Sequence, residues 1–246
     1  MDFTICIANT TILIHSVYQS VFNLCKEYLI TEDTAPDIEI YSTEEMIQRE
    51  YEILKKRDES AESLQSVERL LIQRIISDSL IDRDIVLMHG AVIAVNNNAY
   101  MFTAKSGTGK TTQIRKWLKR VPGSVVVNGD KPFVMLNKNG AYACGTPWCG
   151  KESMGNNMIV PLRSIVFMKR SNENRIETAS FNGVFPALIE QTYYPSDTEK
   201  QRRTLALLMK LKDCVSFFNF YFDHYQEGSF RIPFETLTEQ NQKQQK

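Results

Sequence analysis

Residues 104–112 read Ala-Lys-Ser-Gly-Thr-Gly-Lys-Thr-Thr. A loop that wraps a phosphate needs glycines so that backbone N–H groups can turn inward. It also needs a lysine to reach the β- and γ-phosphates and a hydroxyl to hold Mg²⁺. Gly107, Gly109, Lys110 and Thr111 meet these requirements, with Ser106, Thr108 and Thr112 completing the cradle. Only the first position departs from the G-x-x-x-x-G-K-[ST] pattern, since Ala104 stands there. The flanks agree: Tyr100 to Thr103 is a β-rich apolar run. Ile114, Trp117 and Leu118 fall at i, i+3 and i+4, which predicts a helix whose N-terminus faces the loop. The chemistry expected is ATP or ADP binding with Mg²⁺.

Two further residues could act on that nucleotide. Val86 to Val95 reads as strand, His89-Gly90 kink, strand, and the asparagines 96–98 supply a turn suited to positive φ before the chain returns to the loop. His89 is therefore expected at the edge of the site, two strands back from the phosphates. Val125 to Asn128 is an apolar strand that leads to Asp130, one helix after the loop. That is where a phosphate-binding fold keeps a Mg²⁺ ligand or base. The metal set expected is thus Thr111 and Asp130. The segment Gly145-Thr146-Pro147-Trp148-Cys149-Gly150-Lys151-Glu152 has two readings. It returns to the site, with Lys151 on the transferred phosphate and Glu152 orienting metal or substrate, or it is a turn anchored by Trp148. Cys149 is not expected to be a nucleophile, because transfer to a hydroxyl needs no thiol. His15 and His224 carry no supporting pattern and read as structural.

His89-Gly90, the two strands, Lys105 to Thr111, the helix and the strand reaching Asp130 together resemble the catalytic domain of HPr kinase/phosphorylase. ATP-dependent phosphoenolpyruvate carboxykinase shares that core. The resemblance covers residues 85–136 and extends to about 222 as a continuation of the domain. Within the superfamily the chain most resembles the small HPr kinase-like proteins that phosphorylate serine on other substrates, including ribosomally made peptides. The resemblance implies an α/β fold with a mixed-sheet nucleotide-binding core and a small N-terminal α+β segment. It implies a serine kinase in which His89, Asp130 and Lys110 carry catalysis. Lys151 joins them on the first reading of the 145–152 segment, not from the resemblance, because the family's catalytic lysine loop is not visible here. Three departures stand out. Gly129-Asp130 replaces an adjacent pair of acids, Ala104 replaces the first loop glycine, and the segment that engages HPr is not visible, so HPr is not the expected acceptor. The alternatives are a nucleotide-sensing module without catalysis and a carboxykinase-like lyase.

The chain has 246 residues, and its 29 basic and 29 acidic side chains give a formal net charge of zero. That balance argues against nucleic-acid or polybasic membrane partners, both of which need a basic excess. The partners expected are ATP or ADP and a peptide, protein or small-molecule hydroxyl substrate, with a homo-oligomer possible. Five cysteines without C-x-x-C spacing suggest reduced thiols. Phe3 to Ile14 is too short and interrupted to span a bilayer, and no basic region precedes it, so a cytoplasmic location is expected.

The organisation expected is an N-terminal segment 1–80, a catalytic domain 81–234 and a polar tail 235–246. The first 60 residues show strand signals at Phe3 to Ala8 and Thr11 to Ile14 and a polar stretch from Thr31 to Asp37. Ser60 to Ser79 is expected to be helical, with Leu64, Val67, Leu70, Leu71 and Ile75 on one face. Asn137 to Gly140 is a hairpin turn before Ala141 to Cys144. Leu162 to Met168 reads as a buried strand and Phe185 to Gln191 as a helix. Ser196 to Glu199 reads as a capping box for a helix ending near Lys212. Cys214 to Phe222 reads as an aromatic strand, and from Glu239 the chain reads as frayed.

Overall fold

In the N-terminal part, alternation of apolar and polar residues makes two strands. These are β1 (Asp2–Ile7) and β2 (Thr10–His15), paired antiparallel with Ile7 opposite Thr10. The two-residue turn places Ala8 and Asn9 at φ 50 and 57, the left-handed pair such hairpins need. Next come α1 (Gln19–Leu24), β3 (Ile38–Tyr41), parallel to β2, α2 (Glu44–Lys56) and α3 (Leu64–Leu80). The computed structural model describes residues 1–31, 35–56, 63–223 and 236–237. His224 and the expected frayed tail from Glu239 lie outside the described residues. So do the first residues of the expected 60–79 helix and part of the 31–37 stretch.

The chain divides into two compact units, Met1–Arg83 and Asp84–Lys246. In the first unit, α1 and α2 are additions to the sequence reading. The α2 signal is sparse, since Ile47, Tyr51 and Leu54 pack inward amid many charged residues. Leu70 is a correction: it is 48% exposed, because the buried face of α3 runs through Val67, Glu68, Leu71, Ile72 and Ile76. Glu68 is fully buried and satisfied. It accepts hydrogen bonds from the N–H groups of Val17 (2.6 Å) and Tyr18 (2.9 Å) and from the Ser42 hydroxyl (2.5 Å).

The second unit is mixed α/β. Its strands are β4 (Ile85–Leu87), β5 (Ala91–Val95), β6 (Asn98–Thr103), β7 (Val125–Asn128), β8 (Phe133–Asn137), β9 (Gly140–Cys144), β10 (Ile159–Arg170), β11 (Arg175–Thr178) and β12 (Ser216–Phe222). Its helices are α4 (Lys110–Arg120), α5 (Phe181–Glu190) and α6 (Thr198–Lys210). The strand order is β4-β8-β9-β10-β6-β5-β7, with β12 also on β10 and β11 on β12. Strand β10 is longer than the 162–168 expected. It begins antiparallel to β9 and then runs parallel to β6 and β12, so it serves two neighbourhoods in succession.

Helix α4 buries Ile114 and Trp117 against one face of the sheet, where the indole meets Tyr100 and Phe102 at 5.6 Å. Leu118, expected on that stripe, is 40% exposed and is a correction. The other face is covered by apolar residues of α5 and α6, among them Val184, Leu188, Leu207 and Leu208. Helix α5 starts at Phe181 rather than Phe185, because the Ser180 hydroxyl accepts from Gly183 N–H and caps it. Helix α6 is capped by Asp197, not by Ser196: its carboxylate accepts from Lys200 N–H at 2.9 Å. Among the described residues no helix is long and apolar enough to cross a membrane.

Candidate active site

Topology brings the chemical residues together. Strand β5 lies between β6 and β7 and is antiparallel to both. The start of β5 and the ends of β6 and β7 therefore share one edge of the sheet. His89 precedes β5, the 104–109 loop follows β6, and Asp130 follows β7. The segments before β5 and after β7 also run side by side, with Gly90 N–H donating to Asp130 O at 2.9 Å and Met88 N–H to Pro132 O at 3.0 Å.

These residues line one cleft of about 470 Å³. Ser106, Gly107, Gly109, Lys110, Thr111 and Thr112 form one side, and His89, Gly129 and Asp130 another. Cys149, Gly150, Lys151, Glu152 and Met154 close it. Of the loop residues singled out in the sequence, only Thr108 is not part of this lining. Its hydroxyl instead donates to Lys105 O within the loop at 2.7 Å. Gly107 and Gly109 sit at φ 75 and 120, conformations closed to most side chains, whereas Ala104 is not among the positive-φ residues. The Lys110 ammonium donates to Ala104 O at 2.9 Å. The 145–152 segment does return to the loop, and Trp148 within it is also buried. Glu152 pairs with Arg115 of α4.

The His89 ring is held on both sides. Its Nδ1 lies 2.8 Å from Gln191 Oε1, and its Nε2 lies 3.4 Å from Asp130 Oδ1. An amide oxygen only accepts, so Nδ1 carries the proton there. Nε2 is thereby aimed at the Asp130 carboxylate. The backbone is fixed too: His89 N–H donates to Gln191 O, and the Thr103 hydroxyl donates to His89 O, both at 2.7 Å.

Burial pushes Asp130 upward, but the His89 hydrogen bond and the charges of Lys131, His89 and Lys110 outweigh it. Its carboxyl therefore sits below the ordinary aspartate value. Burial pushes the Lys110 ammonium down; Asp130 opposes this and Lys131 adds to it. Lys131 is lowered by burial as well, against the pull of Asp130.

Asn128, overlooked in the sequence except as a strand end, positions the acid. It is fully buried. Its Oδ1 accepts from the N–H groups of Asp130 (2.8 Å) and Lys131 (2.7 Å). Its Nδ2 donates to Thr146 O (3.1 Å) and Thr146 Oγ1 (3.0 Å). An Asn followed two residues on by the group it orients is an Asx-turn signature, so a local signal did exist. Gln191 had none, since it lies 102 residues from His89. Cys149 donates to Thr146 O at 3.0 Å, a structural role.

Position 129 has no room for a side chain. A Cβ on Gly129 would lie 2.9 Å from Cys149 O and 3.1 Å from Met154 O. Any side chain there displaces the 149–154 segment.

No family model matches the chain, and no curated protein matches it. Among solved structures, the HPr(Ser) kinase/phosphatase from Coxiella burnetii superposes with a TM-score of 0.36 and 10% identity. The match covers 65% of this chain and 92% of that one. So loose a likeness carries no weight for activity.

Proposed function

We propose that this chain is an ATP-dependent kinase that transfers the γ-phosphoryl group to an alcohol, with serine in a peptide or protein as the preferred acceptor. The observation that carries the reading is the His89–Asp130 pair, 3.4 Å apart, in the same cleft as Lys110 and Thr111. A site that only senses nucleotide needs the loop but has no use for a histidine locked at Nδ1 and aimed through Nε2 at a carboxylate.

In this reading the N–H groups of 106–112 and the N-terminus of α4 hold the phosphates, and Lys110 offsets their charge. The donor set suits Mg²⁺, which takes one or two carboxylates and leaves its other positions to phosphate and water. Among the described residues no cluster of three His, Cys, Asp or Glu offers a closed metal cage. Thr111 and Asp130 would hold the ion, which would supply charge neutralisation at the phosphates. The acceptor hydroxyl gives its proton to the Asp130–His89 pair as its oxygen attacks the γ-phosphorus. The bond to the bridging oxygen breaks and ADP leaves. Asp130 takes the proton first, and His89 orients it and stabilises the protonated pair. Lys151, exposed at the cleft rim, would meet the transferred phosphate.

The test runs ADP binding beside transfer of labelled γ-phosphate to a serine-peptide library. His89→Ala should leave ADP affinity within a few-fold and cut transfer by about 10²–10⁴-fold. A parent protein that binds ADP tightly, labels no acceptor and shows no ATPase above Lys110→Ala would overturn the kinase in favour of a nucleotide sensor.

A further inference from the structure

A second cleft, of about 280 Å³, lies outside the C-terminal ends of the adjacent parallel strands β6 and β10, against the end of α5. Such crevices at strand C-termini are where open α/β sheets take ligands. Thr103 and Gln191 line this cleft, and both also bond to His89 of the first one. The two clefts therefore adjoin at His89. Phe167, Met168 and Ala187 give it an apolar lining, and Lys105, Lys169 and Arg170 bring three cations to its rim against one carboxylate, Glu190. Arg170 is fixed by donating to Gly107 O at 2.6 Å, and Lys169 lies over the Tyr221 ring at 5.3 Å.

We infer that this second cleft seats the acceptor: a peptide segment with an apolar residue and an acidic side chain close in sequence to the phosphorylated hydroxyl. The inference rests on the kinase reading for what happens to the hydroxyl, but not for what the cleft binds. Phosphates and the proton-accepting pair take up the first cleft, so the rest of the acceptor has to lie outside it. The second cleft, whose lining residues Thr103 and Gln191 bond to His89, is the neighbouring place for it. The cationic excess then selects an acid over a base in the flanking sequence, and the apolar lining takes its neighbour.

The experiment uses the full chain and serine peptides with amidated C-termini, so that only side chains supply carboxylates. Flanking Asp or Glu is compared with Asn, Gln and Lys, by anisotropy for binding and by γ-phosphate transfer for turnover. The parent should prefer acidic peptides by about 5- to 10-fold over neutral ones, the size expected of two or three rim pairs. Lys169→Glu should abolish or invert that preference and leave ADP affinity unchanged, while Glu190→Gln should strengthen it. Peptides labelled regardless of flanking charge, with a KM indifferent to Lys169→Glu, would overturn the cleft while leaving the kinase intact. Charge-selective, Lys169-dependent binding without any transfer would overturn the kinase and uphold the cleft. Peptides that neither bind with charge preference nor become labelled would overturn both.

Discussion

Replacing Asn128 by Ala should be among the most damaging changes near the site, although Asn128 is no part of the lining of either cleft described. The substitution deletes five hydrogen bonds: two accepted from Asp130 and Lys131 N–H, two donated to Thr146 and a longer one donated to Cys149 Sγ. A buried group left without a partner costs about 1–3 kcal/mol. Water entering the void recovers part of this, so a net loss of about 3 kcal/mol is expected. That is a large share of a total of about 5–15 kcal/mol. In a domain of this size it lowers Tm by about 6–12 °C. The Asp130 carboxylate also loses its backbone anchor, and a displacement near 1 Å costs about 10²-fold in turnover. Two companions separate the contributions. Asn128→Asp keeps both accepted bonds, loses the donated ones and sets a like charge beside Asp130, which raises the Asp130 pKa. Thr146→Val removes the hydroxyl end of the clamp. Calorimetry on the two single variants and the Asn128→Ala/Thr146→Val double variant gives a coupling energy, expected at about 1–2 kcal/mol for groups in one network. A Tm within about 2 °C of the parent for Asn128→Ala, with no coupling to Thr146, would refute the clamp.

Lys110→Ala should weaken triphosphate binding by about 10–100-fold, the loss of charged hydrogen bonds, with little change in Tm; equal affinities by calorimetry would remove the loop from nucleotide binding. Gly129→Ala should cost about 1–3 kcal/mol through the forced contact with Cys149 O, and Gly129→Asp should fail to act as a second acid; a Tm equal to the parent's would show that the 149–154 segment yields freely. His15 faces carboxylates at both ring nitrogens, Asp2 Oδ1 and Glu39 Oε1, each at 2.9 Å, with Tyr41 stacked on the ring and the N-terminal ammonium beside Asp2. Both nitrogens must donate. The Glu39 hydrogen bond raises the His15 pKa, against burial and with help from Asp2. The raised value means that its stabilisation is complete below about pH 6.5 and is lost as pH rises through the folded-state value. A fall in Tm across that window that persists unchanged in His15→Phe would contradict this.

What could be read from the chain without coordinates follows the range of the interactions. The β6–loop–α4 unit is encoded within 23 contiguous residues, 98–120. Its glycines, lysine and amphipathic helix stand in sequence as they stand in space. The β5–β6 hairpin announces itself through Asn96 and Asn97, both at positive φ. Gln191 against His89, Arg170 against Gly107 and Asn128 against Thr146 are side-chain contacts at separations of 102, 63 and 18 residues, and no period or turn chemistry marks them. Leu70 and Leu118 mislead for a related reason. Helical spacing defines a stripe, but only the neighbouring elements decide where its edge falls.

In the kinase proposed above, the bond from Lys110 to Ala104 O would make phosphate capture an exchange reaction. An incoming phosphate must win the ammonium from a carbonyl that already holds it. The affinity is therefore lower than a free cation would provide, by about 1.5–3 kcal/mol for a hydrogen bond to a charged group. The same carbonyl works in the opposite direction at the end of a turnover. When a product phosphate left, the buried Lys110 side chain would have a replacement partner six residues away and need not cross back unpaired. The loop thus carries its own counter-ligand, which sacrifices tightness for speed of departure. An enzyme that must shed ADP on every cycle gains from that trade, whereas a sensor built to retain nucleotide loses by it.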